Sequence, residues 1–315
     1  MTQRTFLPNR THVPGTNGLT GQPRRIPHQR RPTVDPALVH RPVAHDVLPT
    51  AWRQVADSRF QVDVRWPEEP RLFRPDDGLH SPLIIAETMR QSAILLTHTA
   101  FGVPLDHRFV LQDLRYTVGR DFLPVSGPTN DVAVEVACSA VRGGRRPTGM
   151  HCRVTLRRGT AWAEGEGELG ITSPAAYRRI RGDRATAELP HQPRPMAPGT
   201  VRCATAEQVL LAPPAAENRW QLRVDPHHPD LTNDHFPGIL LMEACRQAAC
   251  AATASEAFHP LVFSVRFLRY AEFSTPCWVE ARPQQGSSDV LVTCHQDGEP
   301  VFLAHMATEE DPAGR

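Results

Sequence analysis

The chain is 315 residues long, enough for two domains of ordinary size, and its formal net charge of +1 excludes nonspecific nucleic-acid binding through bulk charge. All 35 basic residues are arginine, so anions must be met by planar guanidinium groups, and Schiff-base chemistry on lysine is excluded. No run of about 18 apolar residues is present and the N-terminus lacks the apolar stretch of a secretory signal, so a cytoplasmic protein without a membrane partner is expected. The seven cysteines contain no Cys-x-x-Cys pair, and their odd number points to reduced thiols rather than a disulfide framework or a zinc site.

Residues 1–36, rich in Pro, Gly, Arg and Thr, read as a disordered basic extension. The globular pattern begins near Val39-His40-Arg41 and Asp46-Val47-Leu48, followed by a polar stretch. Phe60–Trp66 alternates apolar and polar residues and predicts a half-buried strand; the Pro/Asp/Gly-rich run from Pro67 to Gly78 predicts a loop. Ser81 suits an N-cap and Pro82 a first helical position, so a helix is expected from there to about Thr99, with Gly102 and Pro104 ending it. Strands are expected at Arg108–Val118, Asp131–Val141, Gly149–Arg157 and Thr160–Ile171, with a basic turn at Arg142–Pro147. Together these make a first domain over residues 37–172. The proline-rich stretch 173–200 reads as a linker.

The grammar then restarts in a second domain, residues 201–310, followed by a short tail, residues 311–315. Gln208-Val209-Leu210 echoes Asp46-Val47-Leu48, Trp220–Val224 echoes Phe60–Val64, and Leu268-Arg269-Tyr270 echoes Leu114-Arg115-Tyr116. A polar loop, Asp225 to Asp234, leads into a second apolar helix. Adjacent histidines there, His227 and His228, read as solvated rather than as metal ligands. Strands follow near Cys277–Arg282, Asp289–His295 and Pro300–Thr308. The two helices share Glu-x-x-Arg-Gln: Glu87, Arg90 and Gln91 each recur 156 residues later as Glu243, Arg246 and Gln247. Each half is then a central helix wrapped by a curved antiparallel sheet, an α+β unit, and pairing the halves back to back would cover their exposed edges.

A carboxylate and a guanidinium inside an apolar helix must pair or bind something. A Glu in an apolar site has a raised pKa and could act as a general base. Backbone N–H groups near Gly238 or Leu83 could polarise a carbonyl, and Arg90 or Arg246 could hold a phosphate or keep the Glu aligned. Cys245, two residues from Glu243, points to another face and reads as core.

The paired motifs, with Phe101-Gly102-Val103-Pro104 after the first and Asp234-His235-Phe236-Pro237-Gly238 before the second, resemble the A-factor biosynthesis (AfsA-like) family of gamma-butyrolactone signal synthesis. The resemblance spans roughly residues 38–310. It implies a double hotdog and a beta-ketoacyl transfer from acyl carrier protein to the hydroxyl of dihydroxyacetone phosphate. It also implies catalytic roles for Glu87, Arg90, Glu243 and Arg246, with Gln91, Gln247, His235 and Gly238 as substrate-binding candidates. No cofactor or metal is implied, and the double hotdog could be a monomer or a homodimer. The second motif also resembles hotdog dehydratases, in which a His-Phe-Pro loop and a helix acid act together, although the longer insert between His and acid is missing here. A hydrolase or dehydratase acting on acyl thioesters and a noncatalytic acyl-binding protein are the alternatives.

Overall fold

Two helices that are apolar on nearly every side must be enclosed by other elements. In the computed structural model, α1 (Leu83–Thr99) buries every residue except Arg90 and Thr99, and α3 (Gly238–Thr253) is similarly enclosed. The structure describes residues 34–68, 78–127, 129–141, 147–231, 234–253 and 258–308, all within one compact unit spanning Pro32–Arg315.

Around α1 run β1 (Pro49–Ala56), β2 (Arg59–Arg65), β3 (Arg108–Val118), β4 (Asp131–Val141), β5 (Gly149–Arg158) and β6 (Ala161–Thr172). A short helix, α2 (Pro174–Arg181), leads to the second half, where β7 (Arg219–Gln221), β8 (Val262–Phe267), β9 (Trp278–Pro283), β10 (Val290–Gln296) and β11 (Glu299–Ala307) accompany α3. All eleven strands form one sheet in the order β1-β2-β4-β5-β6-β3-β8-β11-β10-β9-β7. The halves meet where β3 pairs antiparallel with β8, with Leu114 opposite Val265 and Tyr116 opposite Phe263. The expected covering of exposed edges is thus a continuous hydrogen-bonded ladder, which satisfies backbone groups that two separate sheets would leave open. Together with the twofold family match given below, this architecture is a double hotdog.

Several local expectations are corrected. Helix α1 begins at Leu83 rather than Pro82, and Ser81 reaches only the Leu83 N–H, at 3.4 Å. Its C-terminus closes as expected: Gly102 adopts φ +66° while the Phe101 and Val103 amides donate to the carbonyls of Leu96 and Thr97. The polar stretch after Leu48 is strand β1, whose outward side chains hide its pairing with β2. Trp220–Val224 yields only the three-residue β7, beyond which Leu222 bridges to Leu211. Strand β8 was not anticipated, and Leu268–Tyr270 lies just past its end, whereas Leu114–Tyr116 lies within β3. The stretch read as a linker carries α2, capped by Ser173, whose Oγ accepts from the Ala176 N–H. Residues 1–33 of the N-terminal extension, the turn residues 142–146 and the tail 311–315 lie outside the described residues. No helix among the described residues is long and apolar enough to cross a membrane.

The seam between the halves should dominate stability. Tyr116 is buried, stacks on Phe263 with ring centroids 5.7 Å apart, and donates its hydroxyl to the Pro82 carbonyl at 2.9 Å. Tyr116→Ala is expected to destabilise the fold by about 3–5 kcal/mol, and Tyr116→Phe by about 1 kcal/mol. Urea denaturation of both variants checks this; equal losses would mean that ring packing is not the main contribution.

Candidate active site

The repeated Glu-x-x-Arg-Gln motif is built twice from the same parts. In each helix the Arg at i+3 closes on the Glu. Arg90 Nε donates to Glu87 Oε2 at 2.9 Å and its Nη2 to Oε1 at 2.8 Å; Arg246 Nε and Nη2 reach Glu243 at 2.8 and 2.6 Å. The Gln at i+4 fixes the carboxylate to the backbone entering the domain. Gln91 donates to Glu87 Oε1 and the Asp46 carbonyl and accepts from the Leu48 amide; Gln247 does the same with Glu243, the Gln208 carbonyl and the Leu210 amide. Both glutamines are fully buried and lie away from open space, so they act as clamps, and the substrate-binding role expected of them is corrected. The echo between Asp46-Val47-Leu48 and Gln208-Val209-Leu210 is the sequence trace of these clamps.

The halves differ at one position. Each begins with a single turn of 3-10 helix ending in a left-handed residue, His40 at φ 52° and Arg202 at φ 56°. The next residue is Arg41 in the first half and Cys203 in the second. Arg41 is buried and reaches Glu87 Oε1 through Nε at 2.9 Å and Nη2 at 2.6 Å. Its Nη1 pairs with Asp230, in the loop before α3. Arg41 therefore joins the first-half helix to a second-half loop. Asp230, expected in a solvated loop, is instead buried, and its Oδ2 has no hydrogen-bond partner among the described residues.

This second arginine reverses the expected chemistry of Glu87. Burial alone would raise its carboxyl, but the charges of Arg41 and Arg90, with hydrogen bonds from Arg90 and Gln91, lower it to about 2. A carboxylate held by so many donors is a poor general base. It is an anchor that keeps two guanidinium groups in place.

Arg90, the charged residue that α1 does not bury, lines a cleft of about 1330 Å³ between the halves. The cleft also takes in His40, Arg41 and Arg108 from the first half and Asp230, His235 and Gly238 from the second. Glu87 lies behind this wall. Glu243, Arg246 and Gln247 are not on it; Arg246 is buried toward Cys250, with Nη1 3.6 Å from the sulfur. Gly238 is required by close approach, since a Cβ there would lie 2.6 Å from the Phe267 ring. Cys245 is buried, with its sulfur 3.7 Å from that of Cys294, as expected of a core residue.

His235 has a geometry that sequence reading did not supply. Its Nδ1 lies 2.6 Å from Asp234 Oδ1, and its Nε2 has no partner among the described residues. Asp234 is in turn fixed by the Tyr177 hydroxyl at 2.8 Å and by Arg181 Nε at 2.9 Å, both from α2. Arg181 also grips Glu272 with two bonds of 2.7 Å and lies over the Tyr270 ring. Burial would raise the Asp234 carboxyl, but hydrogen bonds from His235, Arg181 and Tyr177 lower it to about 2, so it is ionised. Burial lowers His235 from its ordinary value despite the neighbouring carboxylate, so the ring is neutral near pH 7. Asp234 thereby directs the proton to Nδ1 and leaves the Nε2 lone pair for the cleft. Among the described residues no group of His, Cys, Asp and Glu is placed to hold a metal ion.

A family model described as the A-factor biosynthesis hotdog domain matches this chain twice, at residues 23–171 and 184–309. The chain is 42% identical over 288 residues to a protein of Streptomyces coelicolor named 2-oxo-3-(phosphooxy)propyl 3-oxoalkanoate synthase, covering 86% of this chain and 90% of that one. It is 40% identical over 287 residues to a protein of the same name from Streptomyces virginiae, covering 88% and 97%. Among solved structures, the 12:0-ACP thioesterase from Umbellularia californica aligns with 81% of this chain and 98% of its own at 14% identity, with a TM-score of 0.46, too loose a match to bear on the chemistry.

The Glu87 cluster makes a pH prediction. The carboxyl is at about 2 in the folded chain against an ordinary 4.5, so its contribution is complete above pH 4.5 and is lost as pH falls from there through 2. Glu87→Gln removes that charge between two buried guanidinium groups and is expected to cost on the order of 3–5 kcal/mol at pH 7. Glu243→Gln, at a pair with more solvent access, should cost less. Urea midpoints followed from neutral to acid pH check this; an acid limb of equal steepness in the wild type and Glu87→Gln would refute it.

Proposed function

The chain belongs to the A-factor biosynthesis hotdog family, and from that premise we propose that it is an acyltransferase making a 2-oxo-3-(phosphooxy)propyl 3-oxoalkanoate, the compound for which its curated relatives are named. The acyl group comes from a beta-ketoacyl thioester on acyl carrier protein, the acceptor is the hydroxyl of dihydroxyacetone phosphate, and the product leads toward gamma-butyrolactone signals. The observation that carries this reading is the cleft itself, where a neutral imidazole oriented by a carboxylate shares one space with several arginines.

The chemistry follows from these parts. The His235 Nε2 takes the proton of the acceptor hydroxyl, and Asp234 stabilises the imidazolium that forms. The alkoxide attacks the thioester carbonyl, the tetrahedral adduct collapses, and the departing thiolate takes the proton back from His235. Atoms and charge balance without a covalent enzyme intermediate. Arg90 and Arg108 from the first half and Arg266 and Arg269 from the second bring positive charge to the cleft, chemistry suited to a phosphate. Glu87 holds Arg90 and Arg41 in position. The first-half helix is then the working one, and Glu243 with Arg246 supports the second half as scaffold.

Incubation of the purified protein with a beta-ketoacyl carrier-protein thioester, with and without dihydroxyacetone phosphate, tests the reading by mass-resolved product analysis. A phosphorylated beta-ketoacyl ester that forms only with the triose is expected. Free acid or an enoyl product formed without it would identify a hydrolase or dehydratase instead. His235→Asn is expected to lower kcat by about 10²–10⁴-fold, and the wild-type rate should fall on the acid side as His235 protonates below its ordinary value of 6.5. Glu243→Gln should retain transfer. If it abolished transfer while Glu87→Gln retained it, the assignment of the working half would be reversed.

A further inference from the structure

Next to the main cleft lies a second cavity of different character. It has a volume of about 80 Å³ and sits between α1 and strands β3, β5 and β6 of the first half. Its lining is almost wholly apolar: Ala86, Ala93, Leu114, Cys152, Val154 and Leu169 are representative. Arg90, Ile94, Phe109 and Leu111 line both spaces, so the two share a wall, with the Arg90 guanidinium at their common boundary.

Small residues keep this cavity open. Gly167 on β6 borders it, and a Cβ there would lie 2.9 Å from the Asp113 carbonyl oxygen and 3.1 Å from Leu114 Cδ1. The close approach of β3 thus forbids a side chain at that point. On the helix, Ala86 occupies the motif position that Met242 holds in the second copy. Ala93 lies two turns further along and is also buried. Taking about 30 Å³ for a water-sized group, the cavity holds roughly three methylene-sized groups. A dry apolar space of this kind takes hydrocarbon, not water.

We propose that this cavity receives the alkyl tail of the acyl substrate, and that Ala86, Ala93 and Leu169 set the chain length the protein accepts. The inference rests on the acyl-transfer reading and adds to it a place and a size for the donor's apolar end. The tail lies along α1, the 3-oxo and thioester carbonyls lie near Arg90, and the acceptor enters from the wide cleft. Gly167 and Cys152 form the far wall, on the sheet side.

Two opposite substitutions test it. Ala93→Leu fills the cavity from the helix, and Leu169→Ala enlarges it from the sheet. Transfer is measured with 3-oxoacyl thioesters rising in two-carbon steps from short to long. Ala93→Leu is expected to shift the preferred donor to a shorter chain and Leu169→Ala to a longer one. One methylene too many or too few should change kcat/KM by about 10–200-fold. General damage to the fold would lower all donors together and could not move the optimum in opposite directions. Unchanged optima in both folded variants would overturn the proposal. If the wild type transfers nothing, the acyl-transfer reading fails first, and displacement of bound cis-parinaric acid by the same 3-oxoacyl chains then tests the cavity by itself. The same opposite shifts in affinity would sustain the cavity assignment, and failure of the wild type to bind the probe would overturn it.

Discussion

A carboxylate that keeps only 2% of its surface, as Glu87 does, has to be neutralised where it stands, because desolvating an isolated charge costs several kcal/mol. The first half does this with two arginines and an amide. Arg90 comes from the same helix, Gln91 from the next position, and Arg41 from a turn 46 residues earlier. Arg41 brings a requirement of its own, met by Asp230 from the other half. Four charges sum to zero in a buried cluster that spans both halves. Removing any one leaves the others uncompensated, so the cluster ties the helix, the entry turn and the second-half loop into one geometry. Arg90, reaching the cleft, is held by the same arrangement.

A second chain of contacts serves the other side of the cleft. Helix α2 carries Tyr177 and Arg181 to Asp234, and Asp234 holds the His235 ring. Arg181 is almost wholly buried although it belongs to a segment between the halves. Its two bonds to Glu272 and its place over Tyr270 fix the guanidinium before Asp234 is added. The histidine is thus oriented by a support outside either hotdog sheet.

Much of the fold could be read from the sequence because the strongest signals were periodic and repeated. Strands β3 and β4 alternate over eleven residues each, and the two helices share a spaced trio, so tandem α+β units followed directly. Strand β1 did not, because its outward face mixes polar and apolar side chains. The site was harder. Glu87, Arg90 and His235 were identifiable as types, but what each does depends on partners distant in sequence. Arg41 stood beside the motif Val39-His40 without any sign that it reaches Glu87. Asp230 sat in a loop that looks wet. Arg181 lay in a proline-rich stretch where nothing suggests burial. A signal for Arg41 did exist in the comparison of the two entry turns, where a left-handed residue precedes Arg in one copy and Cys in the other.

The β3–β8 ladder binds the halves within one polypeptide, and this frees them from symmetry. In a dimer of identical hotdog chains, every substitution appears on both sides of the twofold axis, so a buried arginine introduced beside one glutamate is introduced beside both. Covalent fusion lifts that restriction. Arg41 can stand against Cys203, and Ala86 against Met242, without either copy having to suit the other's task. The chain can therefore bring two unlike reactants to one asymmetric chamber, one wall specialised for hydrocarbon and the opposing loop for proton transfer. A rotationally symmetric assembly would instead have to build two such chambers or none.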